Sequence, residues 1–257
     1  MSARVRLLRD GPIGRVILAR PEKRNALDRQ MADDLFAAMA QFESDPTCRV
    51  VHLGAEGEDF CAGADLDAME RDLGASSEAH RADAEAMGRV LLAIRALMKP
   101  VVCTVRGRAL ADGAGLAIAC DLVLAHEGAE LGFPEVRQGF VPSLVMTMLR
   151  RGVGEKHAAD LVLTGRIISA EEAERIGLVS RVVPAATFDD DINATLEQIS
   201  QSPATALALT KWLFYKLDAL TFEDGIAAGV VTNVEARATD DFRSGVLRFT
   251  QRRKNRE

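Results

Sequence analysis

The 257-residue sequence has one tryptophan, one tyrosine and four cysteines, and no two cysteines form a C-x-x-C pair. Cys48, Cys61, Cys103 and Cys120 each sit among apolar or small residues, which reads as buried free thiols and argues against a disulfide framework. The four histidines, His52, His80, His126 and His157, lack metal-ligand spacing, so no metal site is expected. No run approaches the roughly 20 apolar residues that span a bilayer, and the N-terminus lacks a signal-like stretch. The expectation is a cytoplasmic protein with no membrane partner. Positive charge is also short: 32 Lys plus Arg stand against 38 Asp plus Glu, a net −6. That balance argues against a nucleic-acid partner and leaves room for a local basic pocket.

What is present alternates in period. Val5 to Leu8 and Gly14 to Ala19 flank Asp10-Gly11-Pro12, the pattern of an opening hairpin. Beyond Asp28, a candidate N-cap, Met31, Leu35, Met39 and Phe42 mark one helical stripe. A strand over Val50 to Leu53 precedes a small-residue loop, and a helix from about Ala82 to Leu97 ends before Pro100. Val101 to Val105 reads as a buried strand, Asp112 to Ala119 as a short helix and Leu122 to Ala125 as a strand, an α/β alternation. The last third is helical: Ser169-x-x-Glu172 is a capping box, Ser202-Pro203 starts another helix and Thr221-x-x-Asp224 a third. Stripes including Leu207, Trp212, Leu213 and Leu217 imply a further copy of the chain as cover. We divide the chain into a core over residues 1–200 and a C-terminal helical oligomerisation region over 201–257.

Three segments carry chemistry. Phe60 to Leu66, FCAGADL, follows a strand with small residues that let the backbone approach a ligand and leave main-chain N–H groups to donate. Gly107 to Ala117, GRALADGAGLA, bends into a helix N-terminus, where N–H groups and the positive dipole end converge on an oxyanion. It is neither a Walker motif nor the G-x-G-x-x-G dinucleotide fingerprint. Phe133 to Pro142, FPEVRQGFVP, places Glu135 among apolar neighbours, which favours its neutral form and suits it to proton transfer near neutrality.

Together with RPEKRNALD (Arg20 to Asp28), KPVVCTVRGRALADGAGLAIACDLVLA (Lys99 to Ala125) and LTGRIISAEEAERIGLVSRVV (Leu163 to Val183), these segments make the chain resemble the enoyl-CoA hydratase/isomerase (crotonase) family over nearly its whole length. The resemblance implies an α/β spiral of ββα units with a C-terminal helical trimerisation region, assembled as a homotrimer or homohexamer. It implies an acyl-CoA substrate, coenzyme A being part of that substrate rather than a separate cofactor. It implies an oxyanion hole from the N–H groups of Ala64 and Asp112, with Glu135 as acid/base. CoA is expected against the Glu22 to Ala26 segment, including Lys23, Arg24 and Ala26, and against Ala62, Ala64, Asp65 and Leu66. Phe249 and Arg252 match an aromatic and a basic residue that reach CoA from a neighbouring subunit.

The chain departs from the family pattern at informative places. The first of the two glutamates that hold water in hydratases aligns with Gly115, which has no side chain. Hydration of a 2-enoyl-CoA is the leading reaction. The alternatives are a single-glutamate 3-enoyl/2-enoyl isomerase, a methylglutaconyl-CoA hydratase-like enzyme using Arg108 or Arg137 for an extra carboxylate, and an inactive acyl-CoA-binding relative. Asp112 stands where glycine or alanine is usual. Its favoured reading is a helix cap with the side chain turned away, and the other is a replacement acid acting with Glu135. Ser143-Leu144-Val145 replaces a Gly-rich stretch and is expected to fill part of the acyl pocket. The charged stretch from Leu66 to Ala86 is expected to be mostly a mobile, solvated lid.

Overall fold

The computed structural model describes residues 4–254. Strands β1 (Val5–Asp10) and β2 (Ile13–Leu18) form the opening hairpin. Next come α1 (Arg29–Ser44), β3 (Val50–Ala55), α2 (Leu66–Arg71) and α3 (Ser77–Ala96). The middle of the chain gives β4 (Val101–Val105), β5 (Arg108–Leu110), α4 (Asp112–Ala119), β6 (Leu122–His126) and β7 (Glu130–Gly132). Then follow α5 (Met146–Thr164), β8 (Ile167–Ser169), α6 (Ala170–Arg175), β9 (Arg181–Val183) and α7 (Phe188–Ser200). The chain closes with α8 (Ala204–Lys216), α9 (Phe222–Arg237) and α10 (Asp240–Lys254).

One sheet has the order β1-β2-β3-β4-β6-β9, parallel from β2 onward, and a second has the order β5-β7-β8. Strand alternation sorts the apolar residues between two cores. Val16, Val51, Leu53, Val101, Cys103 and Val123 point into the large core with α1, α3 and α4. Their neighbours Ile13, Val50, Val102 and Leu124 point the other way, into a small core capped by Phe188, Ile192 and Leu196 of α7. The sheet is therefore buried on both faces and ends its strands beside loops that are free to build a site.

Local chemistry sets the helix boundaries. Asp28 accepts from Met31 N–H at 3.0 Å, Ser169 from Glu172 N–H at 3.3 Å and Thr221 from Asp224 N–H at 3.2 Å. Each such cap stabilises its helix by about 1 kcal/mol. Two expectations need correction. The helix read from about Ala82 begins at Ser77, because Ser76 caps it and the charged residues that resembled loop occupy its solvent face. Much of the expected lid is thus the helices α2 and α3. The residue that enters α8 is Pro203, with no side-chain cap, so Ser202 does not serve as one.

The C-terminal helices pack on one another. Lys211 of α8 is buried and ties them to the core, donating to the carbonyls of Ile94 (2.9 Å) and Lys99 (3.0 Å) and pairing with Asp121 at 2.7 Å. Asp121 also accepts from Val101 N–H at 2.6 Å and from the Tyr215 hydroxyl at 2.8 Å. No helix among the described residues is long and apolar enough to cross a membrane.

Candidate active site

The site is assembled from three loops. The first turns through a short 3-10 helix, Pro21–Lys23, after which Arg24 and Asn25 both take left-handed backbone conformations, φ 48° and 53°. Asn tolerates that region, and Asn25 is held there by being fully buried. Its side-chain oxygen accepts from Arg20 N–H at 2.8 Å, while its amide donates to the carbonyls of Glu56 (2.8 Å) and Asp59 (2.9 Å). Arg20 donates to Ala26 O (2.9 Å), Asp28 (3.1 Å) and Asp65 (2.9 Å), so one guanidinium joins the caps of α1 and α2. Burial pushes the Asp65 carboxyl up, but the Arg20 hydrogen bond, the Ala68 N–H and the Arg20 and Lys23 charges outweigh it and hold the carboxyl below its ordinary value.

The second loop carries Ala64 against the first. Leu27 N–H donates to Gly63 O and Asp65 N–H to Leu27 O, both at 2.8 Å, which brackets Ala64 in a parallel bridge. Among the described residues Ala64 N–H donates to no backbone carbonyl. Asp112 is the first residue of α4, so its N–H has no carbonyl one turn earlier. Ala111 before it is forced to φ 52°, ψ −123°, a strained conformation for a residue with a side chain, and is pinned by its N–H to Gly132 O at 2.9 Å. Gly113 allows the close approach of these loops: a Cβ there would lie 2.4 Å from Cys61 O.

The third loop is the 3-10 turn Pro134–Gln138, anchored by the buried Phe133. It buries Glu135, whose Oε2 has no hydrogen-bond partner. Burial pushes this carboxyl up, its own backbone N–H partly offsets that, and the charge of Asp112 pushes it up further. Asp112 is itself pushed up by burial and by the charge of Asp83 on α3.

These loops enclose a cleft of about 460 Å³. Ala64, Asp112 and Glu135 line it, as do Ala62, Asp65 and Leu66. Lys23, Arg24 and Ala26 line it from the first loop, with Lys23 paired to Asp67 at the surface. That hydrogen bond and charge raise the Lys23 ammonium above its ordinary value. Met69, Phe140 and Val141 supply apolar wall. Phe249 does not line the cleft and is exposed on α10; the side chain of Arg252 lies outside the described residues. Cys61 offers no nucleophile: burial pushes its thiol up to about 12, which leaves it inert.

Two expectations change here. Asp112 does not cap α4: the helix has no side-chain cap, and Asp112, its first residue, lines the cleft. Arg108 and Arg137 do not line the cleft; Arg108 pairs with Glu130 at 3.2 Å and Arg137 donates to Thr164 O at 3.0 Å. The place of a carboxylate at position 115 is taken: a Cβ on Gly115 would lie 2.2 Å from Cγ1 of the fully buried Val145. Val145 thus fills interior space behind α4 rather than the open cleft.

A parallel sheet with helices on both faces and a buried carboxylate lining a cleft beside it define the class, an α/β fold. The profile of the Enoyl-CoA hydratase/isomerase family matches residues 9–256. A Thermus thermophilus protein provisionally named an enoyl-CoA hydratase is 40% identical over 243 residues, 95% of this chain and 96% of its own. The crystal structure of an enoyl-CoA hydratase from Mycobacterium smegmatis superposes with a TM-score of 0.93 at 32% identity, covering 98% of this chain and 97% of that one. An enoyl-CoA hydratase from Bacillus anthracis gives 0.91 at 28% identity, covering 97% and 96%. The chain belongs to the enoyl-CoA hydratase/isomerase family and has the crotonase fold.

Proposed function

We propose that this protein hydrates 2-enoyl-CoA thioesters through an enolate. The thioester oxygen accepts from the N–H groups of Ala64 and Asp112, which are fixed before substrate arrives and so spend no reorganisation energy as negative charge develops. Glu135 delivers the proton to the α carbon. The observation that carries this reading is the buried, unpartnered Oε2 of Glu135 in the same cleft as that N–H pair. A buried acceptor with no partner is costly to keep, and proton transfer to a substrate explains its retention. Lys23 and Arg24 place two cations at the mouth for the CoA phosphates, and coenzyme A arrives as part of the substrate.

A second reading, isomerisation of 3-enoyl- to 2-enoyl-CoA, is favoured by the packing of Val145 against Gly115, since one carboxylate suffices to move a proton between two carbons. A panel assay separates the two: loss of the enoyl thioester absorbance with crotonyl- and longer 2-enoyl-CoA supports hydration. Conversion of 3-enoyl-CoA with no hydration makes the protein an isomerase. Turnover of neither, with acyl-CoA still bound tightly, would sink both readings.

A further inference from the structure

Glu135 is not the only acid in the cleft. Asp112 lines the same cavity, is half-buried, and among the described residues its carboxylate takes part in no hydrogen bond or ion pair. Asp112 stands one position inside α4, past the N-cap Ala111, and makes no capping hydrogen bond. Ala111 before it holds a positive φ of 52°, and Asp112 lines the cleft beside Glu135. Its charge reaches Glu135, so the two carboxyls share one electrostatic environment. The neighbouring Gly115 cannot gain a side chain while Val145 stays where it is.

We propose that the carboxylate of Asp112 is the second catalytic group of this site: it holds the attacking water together with Glu135 and takes that water's proton. The proposal rests on the enolate reading above. The step balances as follows. The water oxygen bonds to the β carbon and its proton passes to Asp112. The electron pair of the double bond moves toward the thioester as an enolate, and the Glu135 proton is delivered to the α carbon. Proton transfer from Asp112 to Glu135, directly or through the next water, restores both groups.

Burial pushes the Glu135 carboxyl up, and the charge of an ionised Asp112 pushes it up further, which helps to keep the proton on Glu135. The groups that face the pair are Asp83 from α3, which holds the Asp112 carboxyl up, and the neutral thiol of Cys61. An ionised Asp112 opposes the enolate electrostatically, and accepting the water proton as the enolate forms removes that opposition when the charge develops.

The test compares wild type, Asp112→Asn and Asp112→Glu in two reactions. One is hydration of crotonyl-CoA; the other is solvent-deuterium exchange at the α carbon of butyryl-CoA, which needs the N–H pair and Glu135 but no attacking water. For Asp112→Asn we expect kcat for hydration to fall about 100-fold or more, within the range for general acid–base groups, while exchange falls less than about 10-fold. The fall of wild-type kcat/KM at low pH should vanish in Asp112→Asn, and Asp112→Glu should recover part of the hydration. Hydration within about two-fold of wild type in Asp112→Asn would overturn the proposal. So would an equal loss of hydration and exchange, which would assign Asp112 to positioning of the N–H pair. Thermal melts of each variant establish that it is folded. If wild type exchanges the α proton but hydrates no 2-enoyl-CoA, the enolate reading stands and the role given to Asp112 falls. Absence of both activities in wild type removes both.

Discussion

Asp112 and Glu135 are carboxyls that the fold pushes up, by burial first and by neighbouring charge second. A carboxyl whose folded value exceeds its unfolded one stabilises the fold fully below the unfolded range and loses that contribution as pH rises through the folded value. At neutral pH both residues therefore cost stability. Asp112→Asn and Glu135→Gln should each raise Tm at about pH 7 by about 2–4 °C, equivalent to about 1 kcal/mol, and the gain should disappear below about pH 4. Calorimetry at the two pH values checks this; a lower Tm at neutral pH would contradict it. Glu135→Gln should also cut turnover by roughly 10²–10⁴-fold. At Gly115 the prediction is steric: Gly115→Glu overpacks against Val145 and should cost about 1–3 kcal/mol, and adding Val145→Gly should recover much of it. Additive destabilisation in denaturant unfolding would show that the two positions do not compete for one space.

At the scale of elements, the Arg20 guanidinium links the first loop of the site to the caps of α1 and α2. Its side chain is 13% exposed and that of Asp65 6%, so Arg20→Leu leaves an acid buried without its cation and should cost about 3 kcal/mol. It should also raise KM, because Asp65 adjoins Ala64. Since Asp65 is held below its ordinary value, its contribution is present above the unfolded carboxylate range and lost as pH falls through the folded value. The variant should therefore lose the acid-dependent part of stability that wild type shows as pH falls below the unfolded carboxylate range of about 4. What was legible in the sequence follows the reach of the interactions. Caps at Asp28, Ser169 and Thr221 were readable because each side chain acts three residues ahead. The helix Asp112–Ala119 was readable from its Gly-rich start. The Arg20 and Asn25 bonds were not, since their partners lie up to 45 residues away, and β5, β7 and β8 are three-residue strands made by pairing rather than by local pattern. No local pattern signals the positive φ of Ala111 just before Asp112.

For the whole molecule, two features concern how the C-terminal helices complete the structure. Lys211→Met removes a buried cation and leaves Asp121 and two carbonyls short of a donor, with an expected cost of about 3–5 kcal/mol. Beyond that anchor, Phe222, Ile226, Val230 and Val234 lie on one stripe of α9 and are each more than half exposed in the single chain. Such a stripe suits cover by another copy of the chain, and Ile226→Asp with Val230→Asp is expected to give a lower mass than wild type in light scattering. An unchanged mass would place the interface elsewhere. The motifs of the cleft were readable because they bunch within short loops, whereas Phe249 is exposed on α10 and does not line that cleft.

The proposed chemistry is an enolate formed in this cleft with Glu135 as the proton carrier. Solvent-deuterium exchange at the α carbon of butyryl-CoA, measured for wild type and Glu135→Gln side by side, tests it most directly. The account predicts enzyme-dependent exchange that falls at least about 100-fold in the variant. Exchange that is absent in wild type, or equal in the two proteins, would contradict it.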